Sequence, residues 1–116
     1  MPLHYEAWCL TLKEFGAELP EQMFYSLAGV PLSDLIEHIN QHNHTKLDPG
    51  ALLAVKRKHF DELFEQVQPI EPIVSVFRKY HGKLPCAVAS GSPRHMIDRV
   101  LGKIGLLGLF DAVVSC

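Results

Sequence analysis

Cysteine is scarce in this sequence, and the three present, Cys9, Cys86 and Cys116, lie far apart with no CxxC spacing. An odd number of dispersed thiols suggests neither a disulfide framework nor a zinc knuckle, and fits a reducing compartment. Positive charge does not dominate either: 11 Lys and Arg stand against 13 Asp and Glu, a formal net charge of -2. Apart from Lys56, Arg57 and Lys58 the cations are scattered, which leaves no basic field for a polyanion, and nucleic acid is not expected as a partner. No apolar run reaches the roughly 20 residues that a membrane-spanning helix needs, and no basic segment followed by a signal-like core opens the chain. A cytoplasmic protein with no membrane partner is expected. Repeats and low-complexity linkers are absent too. The five aspartates, Asp34, Asp48, Asp61, Asp98 and Asp111, form no DxD, so no acidic set suited to Mg²⁺ is recognisable and no metal ligand is assigned.

What is present is the composition of a soluble globular protein: 116 residues, 47% hydrophobic and 21% charged, the size of one ordinary domain. The first half reads as helical. In residues 2 to 15, Leu3, Ala7, Leu10 and Phe15 fall near one helical face, with Pro2 suited to a first turn and Gly16 to a stop. Pro20 opens a second helix through about Leu27, closed by Ala28 and Gly29. "PLSDLIEHINQHN" supplies a third, with Leu32, Leu35, Ile36 and Ile39 in register. In "LDPGALLAVKRKHFDELFEQV", Asp48 is a suitable N-cap, Pro49 fills the first helical position, and Leu52, Val55, Leu63 and Phe64 are apolar.

Beyond about Ile70 the pattern changes. "EPIVSVFRKYHG" is a further helix ending near Gly82, and Leu84 to Ala89 is a short apolar run of the kind found in strands covered on both faces. "SPRHMIDRVLGKIG" then predicts a helix with Ser92 as N-cap, Pro93 at the first position, and Met96, Ile97, Val100, Leu101 and Ile104 facing inward, ended by Gly105. "LFDAVVSC" is a second apolar strand. Helix, strand, helix, strand in alternation indicates an α/β fold with a parallel sheet. In such sheets ligands bind beyond the carboxyl ends of the strands, where the next helix presents unpaired N–H groups. Ser90, Gly91 and Ser92 occupy that place, and a hydroxyl, a glycine and a helix N-terminus suit a phosphate oxygen. The same three residues serve equally as a tight turn and a helix cap, so composition leaves both readings open.

The stretch "CAVASGSPRHMIDRVLGKIGLLGLFDAVVS" resembles the second motif and following strand of the haloacid dehalogenase superfamily, in its subgroup of β-phosphoglucomutases and small sugar-phosphate phosphatases. "MPLHYEAW", with His4 and Trp8, is similar to the segment after that family's aspartate motif, and "LAGVPLSDLI" and "KRKHF" resemble its helical cap. The likeness covers nearly the whole sequence and is nearest in character to the fructose-1-phosphate and 6-phosphogluconate phosphatase type. It implies a core-to-cap helix over residues 1–16, a helical cap over 17–68 and a partial Rossmann-like parallel α/β core over 69–116. It also implies that Ser90 and Gly91 hold the transferring phosphoryl group, that Lys56 is a cap-borne cation reaching the substrate, and that His4 orients an acid/base aspartate. The expected activity is hydrolysis of small sugar phosphates through a phospho-aspartate, with Mg²⁺ as cofactor, in a protein that is a monomer when complete.

The family's DxDGT motif, its third-motif lysine and its acidic magnesium ligands are absent from the 116 residues. The sequence therefore reads as truncated at both ends, and inactive by itself, since binding a phosphoryl group without a nucleophile yields no turnover. Phosphoryl transfer between sugar positions is an alternative, and so is an inactive fragment or helical interaction module, because two strands fall short of the usual four to six or so in a sheet. Lys56 also reads as part of a solvated basic face, and His4 with Trp8 as a packed aromatic pair. His38, His42 and His44 have a spacing that can hold a transition metal but lack a glutamate partner, and read as exposed histidines. "ASGSP" is not the G-x-S-x-G of a serine hydrolase.

Overall fold

A computed structural model describes residues 1–115, which fall into two compact units: Met1–Gln66, and the residues from Val67 onward. The first unit is all helical: α1 (Pro2–Glu14), α2 (Glu21–Ser26), α3 (Leu32–Asn43) and α4 (Pro49–Leu63), followed by a 3₁₀ turn at Phe64–Gln66. Gly16, at φ 67°, makes the left-handed turn that releases the chain from α1. The start of α4 follows expectation: Pro49 stands in the first turn and the Asp48 carboxylate accepts from the Ala51 N–H at 2.8 Å. The segment 1–16, expected as a core-to-cap helix, contains α1, which packs on α4 inside this unit.

Its core joins Trp8, Leu12, Leu19, Phe24, Leu35, Ile36, Ile39 and Leu52. Leu12, Ile39 and Leu52 are fully enclosed, and each such side chain contributes about 1.5–3 kcal/mol relative to exposure. The buried face of α1 differs from the expected one. Ala7, Trp8, Thr11 and Leu12 point inward, whereas Leu10 is 38% exposed. Thr11 tolerates burial because its hydroxyl donates to the Ala7 carbonyl at 2.7 Å. Leu32, expected in the apolar stripe of α3, is exposed as well. Two asparagines satisfy the loops: Asn43 bonds both the N–H and the carbonyl of Glu18, and the Asn40 carboxamide oxygen accepts from Leu47 N–H.

The second unit contains α5 (Glu71–Tyr80), β1 (Ala87–Ala89), α6 (Arg94–Lys103) and β2 (Ala112–Val114). β1 and β2 pair in parallel, Ala87 opposite Ala112 and Ala89 opposite Val114, the right outcome for strands joined through a helix. Val74, Ile97, Leu101 and Leu106 form the core, with Phe77 stacked on Phe110 at 4.3 Å. Asp111 sets the register by accepting from Cys86 N–H at 2.7 Å through its carboxylate while its own N–H donates to the Cys86 carbonyl.

Two expectations require correction in this unit, the length of the first strand and the cap of α6. The first strand is three residues rather than six, because β2 offers a ladder only from Ala112, and Ala87 and Ala89 are exposed instead of covered on both faces. α5 ends at Tyr80, close to the expected end, with Gly82 turning at φ 75°. Pro93, not Ser92, is the N-cap of α6, which begins at Arg94 and has no side-chain cap. Beside the sheet, Ile70, Ile73, Val76, Phe77 and Val88 help to line an apolar groove of about 570 Å³. Among the described residues no helix is long and apolar enough to cross a membrane.

Candidate functional site

The expected site residues fall into two groups, one in each unit. In the second unit, β1 delivers Ser90 to its carboxyl end, where the Ser90 N–H donates to the Val114 carbonyl at 3.0 Å and extends the ladder by one bond. The Ser90 hydroxyl accepts from the Ser92 N–H at 3.1 Å. That contact consumes one lone pair of the oxygen and none of its donor capacity, so the hydroxyl keeps a proton to give to an anion. Ser92 thus tightens the turn through its backbone, and Ser90 supplies the side chain, the reverse of a Ser92 cap.

Gly91 is exposed, has no positive φ, and a Cβ built on it would meet nothing within 4 Å. The fold therefore does not require glycine at this position; the bare backbone matters only to something approaching from outside the chain. Just beyond, the first N–H groups of α6 have no intrahelical partner, as at the start of any helix, and the dipole end is positive. The sequence gives no hint of Ser115, which follows the last paired residue of β2 as Ser90 follows that of β1, and so stands beside it at the same end of the sheet.

In the first unit, α1 and α4 bring together His4 and Lys56, 52 positions apart in sequence, with Lys56 Nζ 3.1 Å from His4 Nδ1. Phe60, one turn beyond Lys56, is the platform for both. The imidazole lies flat on its ring, centroids 4.4 Å apart and planes 5° from parallel, and the ammonium sits 5.1 Å from the same centroid. The expected packing of His4 on Trp8 gives way to this stack, and Trp8 belongs to the core. Burial, then the positive charges of Lys56 and the chain's amino terminus, lower the His4 imidazole to about 4. His4 is consequently neutral at physiological pH, and since Nδ1 accepts from the lysine, its own proton resides on Nε2. Burial, followed by repulsion from Arg57, also lowers the Lys56 amine. Lys56 is therefore not part of the solvated basic face that its neighbours Arg57 and Lys58 form.

His59, also unmarked in the sequence, reaches Glu14 through Nε2 and Glu62 through Nδ1 and fastens α1 to α4. His38, His42 and His44 do not converge; His42 faces Glu18 at 3.6 Å. No three His, Cys, Asp or Glu side chains among the described residues come together as a metal site. A magnesium ion thus finds no fitting donor set among them.

Residues 1–116 match the model of a family described as haloacid dehalogenase-like hydrolase. The chain is similar to the fructose-1-phosphate phosphatase YqaB of Escherichia coli, with 34% identity over 115 residues, covering 98% of this chain and 61% of that protein. It is likewise similar to an uncharacterised protein of Haemophilus influenzae, 30% identical over 116 residues, 99% of this chain and 58% of that one. The chain thus spans about three fifths of the length of these relatives. A crystal structure from Thermotoga maritima, assigned as a β-phosphoglucomutase, superposes with a TM-score of 0.63 at 17% identity, over 98% of this chain and 54% of the other. That likeness establishes the fold: helices followed by a small parallel α/β segment.

Proposed function

The chain belongs to the haloacid dehalogenase-like hydrolase family, and from that premise we propose that it serves a cytoplasmic, monomeric phosphatase acting on small sugar phosphates through a phospho-aspartate. Ser90 and the Gly91 backbone bind the transferring phosphoryl group. Lys56 supplies positive charge toward the substrate, and His4 helps to orient the acid/base aspartate. On this reading residues 17–68 act as a helical cap and residues 69–116 as part of the α/β core. The E. coli relative's name supports the choice of a sugar phosphate.

One observation carries the proposal: at the carboxyl end of β1, Ser90 holds an unspent hydroxyl proton beside a glycine that the fold does not need and a helix start with unpaired N–H groups. Donors fixed in this way stabilise the charge on phosphoryl oxygens without reorganising. His4, neutral and stacked, holds the Lys56 ammonium through Nδ1 and has an Nε2–H left to offer. It therefore acts as a positioner and not as a proton acceptor near neutral pH. The family generally uses Mg²⁺, which would neutralise phosphoryl charge when bound. The described residues do not supply its ligands. The sequence has no DxDGT segment, so neither the nucleophilic nor the acid/base aspartate is assigned within these 116 residues.

Phosphate release from fructose 1-phosphate, 6-phosphogluconate and other sugar phosphates by the chain joined to a DxDGT-bearing segment and the remaining motifs tests the reading. Ser90→Ala is expected to slow turnover by ~10²–10³, the usual loss on removing one oxyanion donor. Unchanged kinetics would remove Ser90 from the site.

A further inference from the structure

β1 and β2 run in register, Ala87 opposite Ala112, Val88 opposite Val113 and Ala89 opposite Val114. Sides alternate along each strand: Val88 and Val113 pack against the core, whereas Ala87, Ala89, Ala112 and Val114 are exposed. Ser90 and Ser115 come next in this alternation and return to the core side, each half-buried, at the carboxyl end of the sheet. Neighbouring strands lie about 4.8 Å apart, so two hydroxyls on one side can hold separate oxygens of a single phosphoryl group. We propose that Ser115 is a second hydroxyl anchor for the phosphoryl group at Ser90, the two serines gripping it from adjacent strands. The inference rests on the proposed phosphate contact of Ser90 and adds to it a residue from the end of β2.

α6 covers that same side, since its Ile97 and Leu101 form the core on which Val88 and Val113 pack. It begins at Arg94, just after the turn, so its first N–H groups open at the same end of the sheet as both hydroxyls. Arg94, the cation nearest the turn in sequence, is committed to Asp98 at 2.9 Å, which leaves the charge of a phosphoryl group to hydroxyl and backbone donors. The Ser90 hydroxyl has one proton to give, and one donor meets only one of the phosphoryl oxygens. Ser115 supplies a second. Among the described residues its hydroxyl meets no hydrogen-bond partner, and no enclosed side-chain oxygen lacks one, so the Ser115 oxygen is open to the outside with its proton unspent.

The test is a titration of the purified chain with inorganic phosphate, comparing Ser115→Thr with Ser115→Val. Both side chains are β-branched and alike in shape, so any effect on strand packing is common to the two, and only threonine keeps the hydroxyl. Ser115→Thr should bind phosphate within about twofold of the unaltered protein, and Ser115→Val about tenfold more weakly, the loss of one hydrogen bond to a charged group. A difference below about threefold between the two variants would overturn the inference. Ser90→Ala, titrated alongside, separates this claim from the one beneath it. Weakened binding in Ser90→Ala with equal affinities in the Ser115 pair leaves the Ser90 contact standing and removes Ser115 from it. Equal affinities in the pair together with an unaffected Ser90→Ala sink both. A Ser115 effect without a Ser90 effect also overturns the inference, because one ion must be held by both hydroxyls.

Discussion

Replacing Gly91 by alanine separates what the fold needs from what a ligand needs. Alanine at a compatible glycine position stabilises a protein by about 0.4–1 kcal/mol, because the unfolded chain loses freedom that it would otherwise keep. Gly91 meets the condition: its φ lies outside the left-handed region and a Cβ there meets no atom within 4 Å. Gly91→Ala should therefore raise the midpoint of urea unfolding by that increment with the slope unchanged. The same methyl group would project into the space from which a phosphoryl group approaches the turn. Inorganic phosphate should consequently bind at least about tenfold more weakly, a loss of about 1.4 kcal/mol, roughly the value of one charge-assisted hydrogen bond. A variant destabilised by more than about 1 kcal/mol would show that the turn itself needs glycine, and a stabilised variant with unaltered phosphate affinity would place the phosphoryl group elsewhere.

Asp48→Ala removes the side-chain cap of α4 and should cost about 0.5–2 kcal/mol in denaturant unfolding, whereas Asp48→Asn should recover most of it. His4 titrates near 4 when folded against 6.5 in the unfolded chain, so between those values the unfolded state binds more protons and stability falls as the pH drops from 6.5 toward about 4. In His4→Gln that part of the acid sensitivity should vanish, and an unchanged pH profile would contradict the buried neutral imidazole. A polypeptide of residues 1–116 alone should release no phosphate from p-nitrophenyl phosphate with or without Mg²⁺. Turnover that is lost in Ser90→Ala would demand a nucleophile within these residues.

Element boundaries were legible wherever a residue has one strong local preference. Pro2 and Gly16 bracket α1, and Asp48 with Pro49 opens α4, because capping and φ restriction act within a turn of the chain. Choices made by partners distant in sequence were not legible. Thr11 displaces Leu10 from the buried face of α1 since its hydroxyl is satisfied by its own helix and Trp8 fixes which side faces the core. The first strand shrinks to Ala87–Ala89 because its length is set by the ladder available on β2.

The turn at 90–92 contains two serines with identical side chains. Only the backbone geometry decides that Ser90 accepts from Ser92 N–H while Ser92 caps nothing. Periodicity and spacing could not join His4 to Lys56 across 52 positions, and resemblance to the family put both at one site. Phe60, which holds the two in place, carries no sign of that role in the sequence. Ser115 was invisible for a similar reason, since its nearness to Ser90 exists only once the two strands pair in parallel.

The central claim is that the turn after β1 binds a phosphoryl group. Titrating the ¹⁵N-labelled protein with inorganic phosphate, while following the amide resonances, tests it most directly. The account predicts saturable shifts centred on Gly91, Ser92 and the first residues of α6, lost in Ser90→Ala, with α2 and α3 unaffected. Shifts spread over exposed cations, or confined to residues outside 90–95, would contradict it.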